Sequence, residues 1–273
     1  MTAGATKHQE TQYSTERVGI VVPTIGGRPE YLPLALQSIR AAGGNVYVLL
    51  IAPADFAAQQ FLDSGLIDEF LPEPLEVSGA ANLAAKINVG LRALPANIKY
   101  FNWLGDDDLL TPGSLDLAFA RIQMHDHPVL VFGGCEYISP QGERIWDMPA
   151  GQWNVPLLRF GPQLIPQPGA LYSRAAFEQL GGLSNKFGWA FDFNLFLGLS
   201  TIGKCIYLPH TLAKFRWHPG SLSVSKRSHS VREASAVRRS YLPAWLRPIS
   251  PLWEWPVMQA TYLAGIRVSK KLK

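Results

Sequence analysis

Residues 18–22 read VGIVV and residues 46–51 read VYVLLI, two short runs with no charged position on either face. A strand with one face in water alternates apolar and polar residues. Unbroken β-branched runs of this length instead suit strands covered on both faces of a parallel sheet. Helical spacing follows each run: Leu32, Ala35, Leu36 and Ile39 within 30–42, then Leu83, Ile87, Leu91 and Leu94 within 82–94. A helix over 56–64, a short strand over 67–71, a strand over 99–104, a helix over 112–123 capped by Ser114, and a strand over 129–133 continue the alternation. The pattern predicts an open, mostly parallel α/β sheet flanked by helices, with ligands beyond the carboxyl ends of its strands.

Past residue 140 the rhythm changes. Residues 140–170 are rich in Gly, Pro, Trp and Gln, a composition for long site-forming loops. Helices over 173–180 and 191–200 and a short strand over 205–208 follow.

With 273 residues, 47% hydrophobic and 17% charged, the chain has the material for a sizeable core. Cys135 and Cys205 fit no ligand-pair spacing and read as thiols of a reducing compartment. Residues 1–16 are polar, without the apolar core of a signal peptide, and no apolar stretch reaches the ~18 residues of a membrane span. A cytoplasmic location is the expectation. The net charge of +4 is uneven: residues 229–273 hold eight basic residues against Glu233 and Glu254, a net of +6, which leaves −2 for the rest. A body of that charge is not built for nucleic acid.

The chemistry concentrates at residues 102–110, NWLGDDDLL, where Asp106, Asp107 and Asp108 stand at the end of the apolar strand 99–104. Adjacent like charges repel, and burial raises the cost, so a cation is expected to compensate them. Clustered oxygen ligands suit a hard divalent cation, Mg²⁺ or Mn²⁺, which binds through one or two carboxylates plus substrate phosphates. The plainer reading is a solvated acidic turn at the start of the next helix.

These segments resemble a family. VGIVVPTIGGRPEYLPLALQSI (18–39) followed by YFNWLGDDDLLTPGSL (100–115) is similar to the inverting family 2 glycosyltransferases of the GT-A fold, whose hallmark is an apolar strand, a D-x-D or D-D-D cluster and a Pro a few residues on, here Pro112. AAKINVGL (84–91) resembles that family's A-R-N-x-G segment, FDFNLFLGL (191–199) stands where E-D-x-D-L occurs, and FRWHPGSLS (215–223) resembles the closing R-x-H-x-x-S-x-S. The resemblance covers about residues 17–225. It implies a GT-A-like sheet and transfer of a sugar from a nucleotide-diphosphate donor to a hydroxyl acceptor with inversion, in cell-surface glycan or glycolipid synthesis. It assigns metal binding to Asp107, Asp108 and His218, and general-base catalysis to Asp192. Donor contacts fall to Pro23, Thr24, Arg28, Asn88 and Asp106. The sequence departs from the family in three places: LLIAPADF (49–56) offers only a displaced Asp55 where an acidic pair is usual, Phe191 replaces a Glu, and Asn194 replaces an acid.

Plainer roles stand beside these. Asp192 also suits a helix cap, His218 a loop histidine, Lys86 a solvated helix face, Arg28 a surface charge, and Trp146, Trp153 and Trp189 either sugar platforms or loop anchors. PTIGGRPEYL (23–32) is faintly similar to the glycine-rich loop of sugar-nucleotide nucleotidyltransferases, and a non-catalytic nucleotide-sugar binder is a further alternative. No G-x-S-x-G elbow appears, which disfavours a serine hydrolase. The expected organisation is a flexible segment over 1–16, a GT-A-like domain over 17–228, and a basic, aromatic, partly helical extension over 229–273. The extension mixes Trp245, Trp253, Trp255 and Tyr262 with aliphatics, and 256–271 reads as a helix. It suits a segment lying on an anionic bilayer, at the inner face of a membrane beside a lipid-linked acceptor. Packing on the catalytic domain, or on a second copy in a homo-oligomer, is the other reading.

Overall fold

The computed structural model describes residues 18–77, 82–148, 150–221 and 227–271. Segment 1–16 and the end of FRWHPGSLS (222–223) lie outside them. In chain order the first elements are β1 (Val18–Pro23), α1 (Leu32–Ala42), β2 (Val46–Ala52), α2 (Gln59–Asp63), β3 (Glu69–Pro72) and α3 (Leu83–Ala93). Next come β4 (Tyr100–Trp103), β5 (Leu109–Leu110), α4 (Ser114–Gln123), β6 (Leu130–Ile138) and β7 (Arg144–Met148). The remainder are α5 (Asn154–Leu157), β8 (Leu171–Ser173), α6 (Arg174–Gln179), α7 (Phe191–Ile202), β9 (Cys205–Arg216), α8 (Arg227–Tyr241) and α9 (Pro251–Lys270).

One sheet runs in the order β3-β2-β1-β4-β8-β6-β9-β5, with β7 paired to β6. Strands β3, β2, β1 and β4 are mutually parallel. β8 enters antiparallel between β4 and β6, so the sheet is parallel in its first half and mixed in its second. Side chains of β1 alternate between two buried layers. Val21 joins Leu49, Ile87, Leu91 and Trp103 on one face, while Ile20 and Val22 join Leu36, Ile39 and Leu115 on the other. Both faces are covered by helices, which is why the strand tolerates no polar residue.

The sheet's depth depends on close approach at two glycines. A Cβ on Gly90 would stand 2.6 Å from Val21 Cγ1, so α3 lies on β1 only because position 90 has no side chain. A Cβ on Gly133 would stand 2.5 Å from the His210 carbonyl, where the β6–β9 register shifts. That irregularity lets β9 run from Cys205 to Arg216 instead of stopping near residue 208. Pro209, His210 and Thr211 break the apolar pattern there, and the sequence expectation stopped with it.

Two other expectations change. Gly113, at φ 70°, caps α4, and Ser114 is its buried first residue. Where the extension is expected to be helical only over 256–271, the stretch 227–241 is also a helix and buries Val231, Ser235, Val237 and Arg238. Val237 belongs to the same apolar cluster as Phe193 and Phe196 of α7. Both cysteines are free thiols.

Gly90→Ala is expected to destabilise the protein by about 1–3 kcal/mol, the usual scale of overpacking. Adding Val21→Ala is expected to recover part of that loss. Urea titration of the two single variants and the double variant checks it; strict additivity of the single-variant costs would place the strain elsewhere.

Candidate functional site

Parallel pairing sets the ends of β1, β2 and β4 level. Thr24 N–H donates to the Ile51 carbonyl and Leu104 N–H to the Val21 carbonyl, which brings Thr24 beside the turn 105–108. All three aspartates are buried. Thr24 Oγ1 donates to Asp106 Oδ2 at 2.5 Å, and Arg28 Nη1 lies 2.7 Å from Asp106 Oδ1 and 3.0 Å from Asp107 Oδ2.

The other half of the cluster's support comes from the end of β9. Arg216 N–H donates to Asp108 Oδ1 at 2.9 Å, and Arg216 Nε donates to the Asp107 carbonyl at 2.9 Å. The Arg216 guanidinium also reaches the Ser139 and Pro140 carbonyls and lies over the Tyr31 ring, 4.5 Å from its centroid. His218 Nε2 is 2.8 Å from Asp107 Oδ2. His218 Nδ1 accepts the Gly220 N–H at 3.1 Å, which leaves the ring proton on Nε2, aimed at Asp107.

Two guanidinium charges stand near three carboxylates, and burial adds to the cost of ionising them. Burial raises the Asp106 carboxyl above its ordinary range, although the Thr24 hydrogen bond and Arg28 oppose the rise. Asp108 is pushed well above it, first by burial and then by the Asp107 charge, with the Arg216 N–H acting the other way.

Across the same cavity, of about 480 Å³, stands Asp192 in the first turn of α7. Its Oδ2 accepts from Gln163 Nε2 at 2.8 Å and its Oδ1 from the Phe193 N–H at 2.7 Å. Burial raises this carboxyl as well, against those two donors and its own backbone N–H. Asp192 does not satisfy the amides just ahead of its helix. Glu233 of α8 accepts the N–H groups of Gly188, Trp189 and Ala190 at 3.1, 2.8 and 3.0 Å.

Pro23, Thr24, Arg28, Asp106, Asp107, Asp108 and Asp192 therefore line one cavity, and His218 joins it through Asp107. Asn88 does not line it. Its amide exchanges two hydrogen bonds with the Leu183 backbone, at 2.8 and 2.9 Å, and holds the turn at Gly182. Lys86 is not on a solvated face. It is buried, paired with Glu73, and lines the cavity. Trp189 lines the cavity, whereas Trp146 lies under Lys271 and Trp153 is exposed. Sequence reasoning missed Gln163 and Gln167. Gln167 Nε2 donates to the Trp103 carbonyl at 2.7 Å and fastens the loop to β4; the two glutamines among prolines in GPQLIPQPG (161–169) were the available signal.

Among the described residues, no three His, Cys, Asp or Glu side chains form a ready-made metal cage. A divalent ion held by one or two carboxylates and completed by phosphate oxygens needs none. The under-neutralised oxygens of Asp107 and its neighbours fit that mode. His218 in the present tautomer serves Asp107 as a donor; direct ligation through Nε2 requires its proton to leave.

No family model and no curated protein matches the chain. Solved structures share its fold. S. aureus TarS 1–349 in complex with UDP matches with a TM-score of 0.58 at 12% identity, over 82% of this chain and 65% of that one. The mannosyltransferase PcManGT from Pyrobaculum calidifontis, in complex with GDP-Man and Mn²⁺, matches with a TM-score of 0.57 at 15% identity, over 92% of this chain and 75% of that one. Full TarS matches with a TM-score of 0.58 at 11% identity, over 93% of this chain and 55% of that one. This chain thus spans less than two thirds of the TarS chains it matches.

The raised pKa values of Asp106, Asp108 and Asp192 give stability a definite sign with pH. A carboxyl whose folded pKa exceeds its unfolded value stabilises the fold below the unfolded value and ceases to do so as pH rises through the folded one. The metal-free protein is therefore expected to lose stability as pH climbs from the ordinary carboxylate range toward neutrality. Asp108→Asn keeps an acceptor for the Arg216 N–H, so it is expected to flatten that decline and raise Tm at neutral pH, by about 2–4 °C per kcal/mol recovered. Calorimetry across pH checks this; an unchanged slope in Asp108→Asn would clear its charge of responsibility.

Proposed function

We propose that this chain is a metal-dependent glycosyltransferase that moves a sugar from a nucleoside-diphosphate donor to a hydroxyl acceptor with inversion, in the manner of the family 2 enzymes it resembles. One observation carries the reading: an under-neutralised carboxylate cluster and a separate, perturbed Asp192 face the same cavity. The fold supports it, since relatives of that fold are solved with UDP and with GDP-Man and Mn²⁺.

In this reading Asp107, with Asp106 and Asp108 behind it, would hold a Mg²⁺ or Mn²⁺ shared with the donor diphosphate. The ion supplies neutralisation of the charge that develops on the leaving diphosphate. Arg28 is placed to add a second positive charge, being tied to Asp106 and Asp107 at one edge and to the Gly220 carbonyl at 2.9 Å on the other. Pro23 and Thr24, at the end of β1, line the donor side. Asp192 takes the acceptor hydroxyl proton as that oxygen bonds to the anomeric carbon and the carbon–phosphate oxygen bond breaks. One displacement inverts the carbon and needs no covalent enzyme intermediate. A carboxyl lifted by burial is a better base than an ordinary Asp, because its proton affinity lies closer to the working pH.

Incubation of purified protein with a panel of nucleotide sugars and Mn²⁺ tests the class. Release of nucleoside diphosphate is expected; pyrophosphate exchange would instead mark a nucleotidyltransferase, and binding without turnover a binding protein. Asp107→Asn is expected to abolish turnover and weaken Mn²⁺-dependent nucleotide binding. Asp192→Asn is expected to lower turnover by at least ~10²-fold, with donor affinity nearly unchanged.

Gln163→Leu separates a base from a bystander. Removing the donor that holds the Asp192 pKa down is expected to move the acidic limb of the turnover profile to higher pH. A profile that stays in place would detach Asp192 from proton transfer.

A further inference from the structure

The inner face of α9 is fully engaged. Glu254 is buried against Ser235 and Arg239, and Gly265 packs so tightly on Arg227 that a Cβ would stand 2.6 Å from its Nε. Ser269 Oγ accepts from Trp217 Nε1 at 3.1 Å, and Lys271 Nζ reaches the Ile145 carbonyl at 3.2 Å. The helix is fixed to the body along its length by this inner face.

That outer face is apolar where a soluble helix is polar. Leu252, Trp255, Gln259, Leu263, Arg267 and Lys270 follow one another at intervals of three or four residues, which makes them one stripe along about 30 Å of helix. Leu252 is 79% exposed, Trp255 65% and Leu263 52%. Trp245 and Ile249, just before the helix, are exposed as well, at 73% and 47%. Of the fifteen large exposed hydrophobics among the described residues, six lie between 245 and 263, so the patch is local and not the general surface.

Charge identifies the occupant. The described part of the extension has two acidic residues, and both are committed inward: Glu233 to backbone amides before α7, Glu254 to Ser235 and Arg239. Arg247, Arg267 and Lys270 are exposed. A second copy pressed onto this stripe would bury Arg267 and Lys270 with no carboxylate there to receive them. A surface of anionic lipid headgroups neutralises them and accepts tryptophan and leucine at the headgroup boundary. Among the described residues no helix is long and apolar enough to cross a membrane.

We infer that the outer face of α9, with Trp245 and Ile249, docks on an anionic bilayer surface. The docked helix is joined to the cavity wall through Ser269 and Trp217, and the Trp253 ring packs 6.2 Å from Phe160, in the loop that leads to Gln163. Docking therefore fixes the cavity's position relative to the bilayer and suits an acceptor anchored there. The surface interaction itself is independent of the donor chemistry.

Co-sedimentation of the full chain with phosphatidylglycerol-containing and pure phosphatidylcholine vesicles tests it. Binding to the anionic vesicles, weakened by salt, is expected. Trp255→Glu with Leu263→Glu, and separately Arg267→Glu with Lys270→Glu, are each expected to lower the partition coefficient about 10-fold or more. All four side chains are exposed, and unchanged circular dichroism and urea midpoints would confirm that the fold is kept. Absence of wild-type binding, or equal binding by both variants, would overturn the inference. So would a dimer in analytical ultracentrifugation that Trp255→Glu with Leu263→Glu dissociates in the absence of vesicle binding.

Discussion

Three carboxylates buried in consecutive positions repel one another, and no local residue of the turn 105–108 relieves them. Relief arrives from far along the chain: Arg28 lies 78 residues before Asp106, Arg216 lies 108 after Asp108, and His218 lies 111 after Asp107. The loop after β1, the end of β4 and the end of β9 are thereby tied into one unit. Each tie is a charge-assisted or backbone hydrogen bond in a poorly solvated place, where such bonds are strong and their loss is costly. These ties do not cancel the cost of burial, which raises the pKa of Asp106 and Asp108 above the ordinary carboxylate range, with the Asp107 charge adding to the rise. A cluster tied from three directions yet costly to ionise is one that a bound cation would relieve, as the proposed function requires.

The opposite wall depends on the C-terminal helices. The positive end of α7 faces the cavity, and a carboxylate placed there to cap it would be drawn toward its ionised form. Glu233 takes three amides ahead of that helix instead, so Asp192 keeps a proton affinity governed by burial, opposed by Gln163 and by the N–H groups of Phe193 and Asp192 itself. Trp217, between Arg216 and His218, is in turn held by Ser269 of α9 and overlain by the Arg227 guanidinium at 5.2 Å. The basic, aromatic extension is structural support for both walls of the cavity.

What was legible in the sequence follows the physics of each signal. The parallel strands β1, β2 and β4 announce themselves because burial on two faces excludes polar residues, and the helices α1 and α3 because one stripe faces the sheet. Asp106, Asp107 and Asp108 were legible because their adjacency has no cheap explanation. The far half of β9 was not, since its continuity rests on a bulge opposite Gly133 that no periodicity encodes. Helix α8 buries Ser235 and Arg238 where a pattern reader expects aliphatics. Asn88 and Lys86 were misplaced for a common reason. Their partners, Leu183 and Glu73, are distant in sequence or sit on another element, and the type of a polar side chain does not reveal whether a partner waits inside.

The Lys86–Glu73 pair also bears on the acid missing after β2. The Glu73 N–H donates to the Ala52 carbonyl at 2.8 Å, so the residue just after β3 sits directly beside the end of β2. A carboxylate is thus present at that edge of the sheet, carried by the segment that leaves the neighbouring strand, and Lys86 of α3 pairs with it. Breaking a buried pair by removing one partner typically costs about 3–5 kcal/mol, because the charge left behind has nothing to answer it. The pair therefore fastens β3 to α3 at the cavity's edge. It also places an ammonium and a carboxylate side by side there, where an acid after β2 would have placed negative charge alone.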